Sequence, residues 1–427
     1  MSKDIEISQD IEIRQDKKLS QDIETTQGVI FLPKPLEDIM VLDFTRVLAG
    51  PYCTMILNDL GAEVIKVERP GSGDDARNFG PYINGKSAYF TSLNCGKKSV
   101  ALDLKTSEDH SKALRLAARA DVVVENFKPG TMKKLGLGYE DLKKVNRELI
   151  YAAISGFGHT GPDARKPAYD MIVQARGGIM SITGEPGGRP VRVGASIGDI
   201  AAGTFCAVGI LAGLYQRPKL GEGSKVDVSM LDGQVAILEN ALARYLSTGI
   251  VPGPLGSRHP SITPFQAFKT RDDWVVIAAG NDKLWERFCQ ALKREDLCQD
   301  PRFISNQKRT ENHKELEKIL MAEIGEYKKE NLLKLLEKFN VPATPINSVD
   351  QLLEDPQIQA RNMLVRVQGE GFEDFVVAGN PIKIDSFQEE QEKQGAPEIG
   401  EHNQEVFAEY LEADDGQDRK RGQDKKV

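Results

Sequence analysis

The feature that most narrows the possible folds is an alternation in the first half of the chain. Short apolar runs alternate with amphipathic stretches, and each apolar run ends in a polar loop. Residues 39–42, 63–67, 122–124 and 149–154 read as strands, a helical stretch begins at Pro51, and an amphipathic helix pattern covers 108–120. Strands that alternate with helices pair in parallel, because each helix must cross back over a face of the sheet. The expected fold class is therefore α/β, with an open, Rossmann-like parallel sheet as the large domain. Such sheets bind ligands in the loops beyond the carboxyl ends of their strands. Here those loops are Asp43-Phe44-Thr45-Arg46-Val47-Leu48-Ala49-Gly50-Pro51, Glu68-Arg69-Pro70-Gly71-Ser72-Gly73-Asp74, Glu125-Asn126-Phe127-Lys128-Pro129-Gly130 and Ser155-Gly156-Phe157-Gly158.

Beyond a hydrophobic helix pattern at 198–217 the character changes. A strand at 225–229 and a helix at 231–248 come first, then a hairpin of 265–269 with 274–278 whose turn holds Asp272 and Asp273. Helical patterns then run from 282 to 339, and strands return at 364–367 and 375–377. A chain of 427 residues exceeds one hydrophobic core. The division expected is a low-complexity arm at 1–30, a large domain at 31–190 rejoined by 375–412, a linker helix at 191–225, a smaller α+β domain at 226–345, a linker at 346–374 and a charged tail at 413–427. The arm repeats Ser-Gln-Asp-Ile-Glu at 8–12 and 20–24, with one apolar residue per unit, too little to bury.

Composition removes several function classes. A net charge of -8 with both signs interspersed argues against a nucleic-acid surface. The N-terminal segment is polar and acidic, unlike a signal or transit peptide, so a cytoplasmic protein is expected. The apolar run at 200–214 falls short of the roughly 20 residues that cross a bilayer, which predicts a buried helix and no membrane partner. Five scattered cysteines without CxxC spacing predict reduced thiols and no metal site. Gly71-Ser72-Gly73 and Gly184-Glu185-Pro186-Gly187-Gly188 lack the spacing of a nucleotide-binding loop and read as turns.

Together with Pro167-Ala168-Tyr169-Asp170 and Gly198-Asp199, the loop series resembles, in order and spacing, the class III CoA-transferase family of formyl-CoA and carnitine CoA-transferases. The resemblance spans residues 36–410. As a set these motifs are specific, whereas any one alone is weak. The resemblance aligns Asp170 with the family's catalytic aspartate. Moving CoA between carboxylic acids calls for a carboxylate nucleophile that forms first an anhydride and then a thioester, and an aspartate ionised at neutral pH supplies one. Without that context an Asp before an apolar run reads as a helix cap.

By motif match, the resemblance implies CoA contacts at Val47, Leu48 and Ala49 of the first loop, Arg69 of the second, Leu102 and Lys105, and Asn126, Phe127, Lys128 and Lys134. The cations among them suit the phosphates of CoA, although each alone reads as a solvated surface charge. Some family members carry Gln where this chain has Leu48, so an oxyanion contact there falls to the backbone N–H groups of Ala49 and Gly50. A glycine-rich lid is represented by Gly253-Pro254-Leu255-Gly256-Ser257-Arg258-His259-Pro260 alone. Gly136-Leu137-Gly138-Tyr139-Glu140-Asp141 and the segment 259–269 are similar to the subgroup that moves CoA from succinyl-CoA to dicarboxylates such as hydroxymethylglutarate and citramalate. A dicarboxylate keeps one free carboxylate, for which Arg46, Arg77 and Arg258 are the candidate partners.

The same fold carries α-methylacyl-CoA racemases, which use a His and an Asp as acid and base. This chain has Tyr169 before Asp170 and Glu140 where that family's second group falls, which leaves His159 as the remaining candidate base. A CoA-binding protein without turnover is the non-enzymatic alternative. The resemblance further implies acyl-CoA and carboxylic acid as substrates, no permanently bound cofactor, and a homodimer of interlocked, ring-like subunits.

Overall fold

The computed structural model describes residues 34–412 except 373, 374 and 388, so the expected arm and charged tail lie outside the described residues. The alternation is realised as β1 (Met40–Asp43), α1 (Ala49–Asp59), β2 (Glu63–Glu68), α2 (Ala88–Asn94), β3 (Lys98–Ala101), α3 (Ser107–Arg119), β4 (Val122–Glu125) and β5 (Ile150–Ser155). There follow α4 (Asp170–Arg176), α5 (Ile197–Leu220) and β6 (Lys225–Ser229). The six strands form one sheet in the order β3-β2-β1-β4-β5-β6, with every neighbouring pair parallel. From the central β1–β4 pair the order runs outward both ways. The strand order thus switches between β1 and β4, and at such a point open α/β sheets bind ligands in the crevice above the strand ends.

Both faces of the sheet are covered, which is why its strands are continuously apolar rather than alternating. On one face Leu42, Ile65 and Val123 pack with Ala113, Leu116 and Ala117 of α3. Thr106 starts that helix by accepting the Asp109 N–H. On the other face Val41, Val64 and Val124 pack with Cys53 and Leu57 of α1 and with Ala202, Cys206 and Ile210 of α5. At 24 residues α5 outruns the apolar stretch that announced it, and by length and composition it is long enough to span a membrane. Its small residues instead let it lie against α1: a Cβ on Gly203 would stand 2.6 Å from the Ala49 carbonyl oxygen.

Two sequence expectations are corrected here. The strand at 225–229, placed mostly with the second unit, is the sixth strand of the large sheet, paired with β5. A strand that follows a crossover helix returns beside the strand before it. The pattern at 231–248 is two helices, α6 (Met230–Ala236) and α7 (Asn240–Thr248), separated near Glu239, whose φ of +53 no helix accommodates.

The second unit has a core of its own. β7 (Phe265–Lys269) and β8 (Trp274–Ala278) form the expected hairpin, joined antiparallel by β9 (Ala343–Pro345). Helices α8 (Asp282–Leu292), α9 (His313–Ile324) and α10 (Lys329–Lys338) cover it through Trp285, Phe288, Leu320 and Leu336. Inside lies Arg309, fully buried, its guanidinium donating to the Thr263 and Phe303 carbonyls and to Asp282. Finally β10 (Leu364–Gln368), β11 (Val376–Ala378) and β12 (Glu392–Gln394) make a small sheet that returns to the first unit, where the Gly96 N–H donates to the Gln394 carbonyl.

Candidate active site

The loop after β1 is tied across the crevice. The Arg46 N–H donates to Asn126 Oδ1 at 2.9 Å, and Asn126 Nδ2 donates back to the Arg46 carbonyl at 2.8 Å. Val47, next in line, has φ +66, and its N–H points at the Asp74 carboxylate, 3.0 and 3.3 Å from the two oxygens. Leu48 caps α1 without a side-chain bond. A helix start leaves its first N–H groups, here those of Ala49 and Gly50, without intrahelical partners.

Beneath this loop lies a dry ionic floor. Lys66 is fully buried, donating to the Thr45 carbonyl at 2.8 Å and pairing with Asp74 at 2.9 Å. Asp43 accepts from the Thr45 N–H, from Thr54 Oγ1 and, at 3.4 Å, from Lys97. Burial alone would raise the Asp43 and Asp74 carboxyls, but the neighbouring ammonium groups outweigh it and hold both below the usual range. Burial pulls Lys97 down to about 8.

Asp170 opens α4, yet it caps another helix. Its Oδ1 accepts the Gly198 N–H, in the first turn of α5, at 2.8 Å, and its Oδ2 accepts from Gln174 Nε2 at 2.7 Å. Gln174 is fully buried, and its own oxygen accepts the Val193 N–H. The carboxylate thus sits 9% exposed at the positive end of a 24-residue helix. Asp199 adjoins it, pushed up to about 7 by burial and by the charge of Asp170. Burial, with the charges of Asp199, Asp74 and Asp170, pushes the Tyr89 phenol on α2 up to about 12.

Of the residues singled out in the sequence, Val47, Leu48, Ala49, Asn126 and Phe127 gather at the crevice, with the Arg46 guanidinium 5.7 Å from the Phe127 ring centre. Arg69, Lys105 and Lys128 are exposed on loops and Lys134 is exposed at the end of the short helix Thr131–Lys134, whereas the Leu102 side chain is 2% exposed in the core, which leaves it backbone groups to offer. Arg46 meets Asp75 in an exposed pair. The fork of Arg77 is taken inside the protein: it grips Glu68 at 2.8 and 2.6 Å, reaches the Pro397 carbonyl and lies on the Phe90 ring. Arg258 stands apart on a loop whose Gly256 N–H bonds the Gly184 carbonyl. Burial and nearby Arg244 lower its pKa. Sequence reasoning assigned no role to Gln174, Gly198, Asp199 or Tyr89. The spacing of Gln174 four residues after Asp170 was the available signal.

His159 lines a cavity of ≈ 360 Å³ with Glu125, Tyr151, Lys225 and Arg165. Its Nδ1 is 3.1 Å from Lys225 Nζ, and its Nε2 is 3.7 Å from Glu125. Burial and the Lys225 charge lower its pKa, and burial raises Glu125 to about 7. Its bonds run to these groups and to Asp227, not to Asp170.

The family model described as CoA-transferase family III matches residues 36–403. An acetyl-CoA:oxalate CoA-transferase of Acetobacter aceti is 43% identical over 380 residues, 88% of this chain and 96% of that protein. A succinyl-CoA:glutarate CoA-transferase of Homo sapiens is 39% identical over 90% of this chain and 87% of that one. Among solved structures, a CAIB/BAIF family protein from Brucella suis superposes with a TM-score of 0.79 at 38% identity, covering 88% of this chain and 100% of that one.

Proposed function

The chain belongs to CoA-transferase family III and is a CoA-transferase, and from that premise we propose that Asp170 carries the acyl and CoA groups between succinyl-CoA and a dicarboxylate. The observation that carries this reading is the hold on the Asp170 carboxylate, one oxygen on the Gly198 N–H and the other on the Gln174 amide.

The reaction runs as four acyl substitutions. An Asp170 oxygen attacks the thioester carbonyl, and CoA leaves as its thiolate, giving a mixed anhydride. The thiolate attacks the aspartyl carbonyl of that anhydride and expels the donor acid. The acceptor carboxylate then attacks the aspartyl thioester, and the thiolate returns to the acceptor's acyl carbon, which frees Asp170. No proton is gained or lost overall. In the two middle steps charge develops on the Asp170 oxygen that did not attack, and whichever oxygen that is already has a donor: the Gly198 N–H on Oδ1 at 2.8 Å or the Gln174 amide on Oδ2 at 2.7 Å. In the outer steps it develops on the substrate oxygen, which the N–H groups of Ala49 and Gly50 would meet.

For the nucleotide end, Arg69, Lys105, Lys128 and Lys134 supply exposed cations around the crevice. Of the arginines offered for the acceptor's free carboxylate, Arg46 is the best placed, beside the crevice with a solvent-exposed partner in Asp75. The names of the relatives, among them glutarate, mesaconate and D-citramalate transferases, support a dicarboxylate acceptor. A dimer is supported by apolar side chains left in solvent beside the site, among them Tyr169 at 78% and Met171 at 55%.

The test is a chromatographic mass assay for new CoA thioesters, with succinyl-CoA and a panel of four- to six-carbon dicarboxylates. Product that disappears in Asp170→Ala supports the reading. Undiminished turnover in that variant overturns the role of Asp170.

A further inference from the structure

Val47 is β-branched, yet it holds a φ of +66. For such a side chain the left-handed region is strained, and it persists where the surroundings over-determine it. Asp74 and Lys66 do so here. Asp74 Oδ1 accepts the N–H groups of Val47 and Ala76 at 3.0 and 2.9 Å, and its Oδ2 meets Lys66 Nζ at 2.9 Å. The same ammonium donates to the Thr45 carbonyl at 2.8 Å. The loop is thus gripped on both sides of Arg46. Neither gripping side chain reaches the surface, with 0% of Lys66 and 1% of Asp74 exposed.

A charge pair so deeply buried stabilises a fold less than apolar side chains of the same volume would. Val64, Ile65 and Val67, the neighbours of Lys66 on β2, show that apolar residues suit this strand. We propose that Lys66 and Asp74 are positioning residues of the transfer reaction, which hold Val47 in its left-handed conformation and so aim the N–H groups of Ala49 and Gly50 at the thioester. This rests on the reading of that loop as the thioester's contact. It assigns a task to an ionic floor that touches no substrate.

The test is a double-mutant cycle on kcat. Asp74→Asn keeps an oxygen for Val47 and Ala76 but turns an amide NH2 toward the Lys66 ammonium. Misaimed oxyanion donors lower kcat rather than binding, so kcat should fall about tenfold or more while KM for the CoA donor changes by less than about threefold. Val47→Gly makes the left-handed conformation accessible without strain. Added to Asp74→Asn, it should return about tenfold in kcat, well beyond its effect in the wild-type background.

Additive effects of the two substitutions would mean a structural role alone and overturn the proposal. Should Asp74→Asn fail to fold by circular dichroism, Asp74→Glu, which keeps the charge but displaces the carboxylate, enters the same cycle. Wild type and Asp170→Ala are run alongside. Absence of transfer by the wild type counts against the function, whereas normal transfer with an additive cycle counts against the positioning role.

Discussion

Replacing Gly198 by alanine separates chemistry from stability at one atom. Gly198 lies in the first turn of α5 at a φ open to any residue, and alanine is the better helix former by about 1 kcal/mol. Its new Cβ, however, would stand 2.9 Å from Asp170 Oδ1 and 2.7 Å from Val173 Cγ2, closer than real contacts allow. The carboxylate must give way, and the 2.8 Å bond from the Gly198 N–H is lost or bent. A hydrogen bond to a charged group contributes about 1.5–3 kcal/mol. If it acts on the oxyanion of the aspartyl intermediates, its loss lowers kcat by about ten- to a hundredfold, at roughly 1.4 kcal/mol per decade. The assay is steady-state transfer from succinyl-CoA, with Tm measured on the same preparation. Within about 3 °C of wild type in Tm, kcat should still fall by that factor. An unchanged kcat would refute the argument, because the added methyl cannot coexist with the hydrogen bond as it stands.

Other substitutions test neighbouring parts of the structure. Asp199 keeps its proton in the folded chain up to about pH 7 but loses it near pH 4 when unfolded, so folding takes up a proton between these values and stability falls as pH rises through them. Asp199→Asn lifts that penalty, and thermal melts should show it more stable than wild type at about pH 8 and equal to it near pH 4. Arg77→Ala strands the buried Glu68 carboxylate, for a loss of about 3 kcal/mol or more in chemical denaturation, whereas a residue gripping the acceptor would raise KM instead. Arg309→Met leaves the buried Thr263 and Phe303 carbonyls without their donor while Asp282 is left to solvent, and should destabilise the second unit by about 3 kcal/mol in the same measurement, at about 1–3 kcal/mol per unsatisfied buried acceptor.

How much of this was legible in the sequence depends on how local each determinant is. The central strands of the large sheet were readable because burial on both faces leaves unbroken runs such as Val122-Val123-Val124, and their loops followed from the parallel arrangement, whereas the edge strand β3, Lys98-Ser99-Val100-Ala101, has no such run and was not read. The partner of β6 was not, since periodicity says that 225–229 is extended but not which sheet it joins. Nor does a 3.6-residue period register one backbone turn, so 231–248 passed for a single helix across Glu239. In the site, Asp170 stood out through its neighbours in sequence, whereas Gly198, its hydrogen-bond donor, lies 28 residues away. Lys66 reads as a charge that should face water. Only the covering of both faces of β2 shows that its partners are Thr45 and Asp74.

On the mechanism proposed above, the cap that Asp170 provides to α5 would be erased and restored in every catalytic cycle. While the aspartate is free, a full negative charge rests against the Gly198 amide; once it is acylated, that charge is gone and a weaker carbonyl acceptor remains. The first turn of the helix would thus alternate between a fastened and a loosened state in step with the covalent state of Asp170. Its amides would then act as a clock for turnover, exchanging hydrogen with water faster whenever the acyl or CoA group is aboard, with the signal originating where the longest helix of the described residues begins.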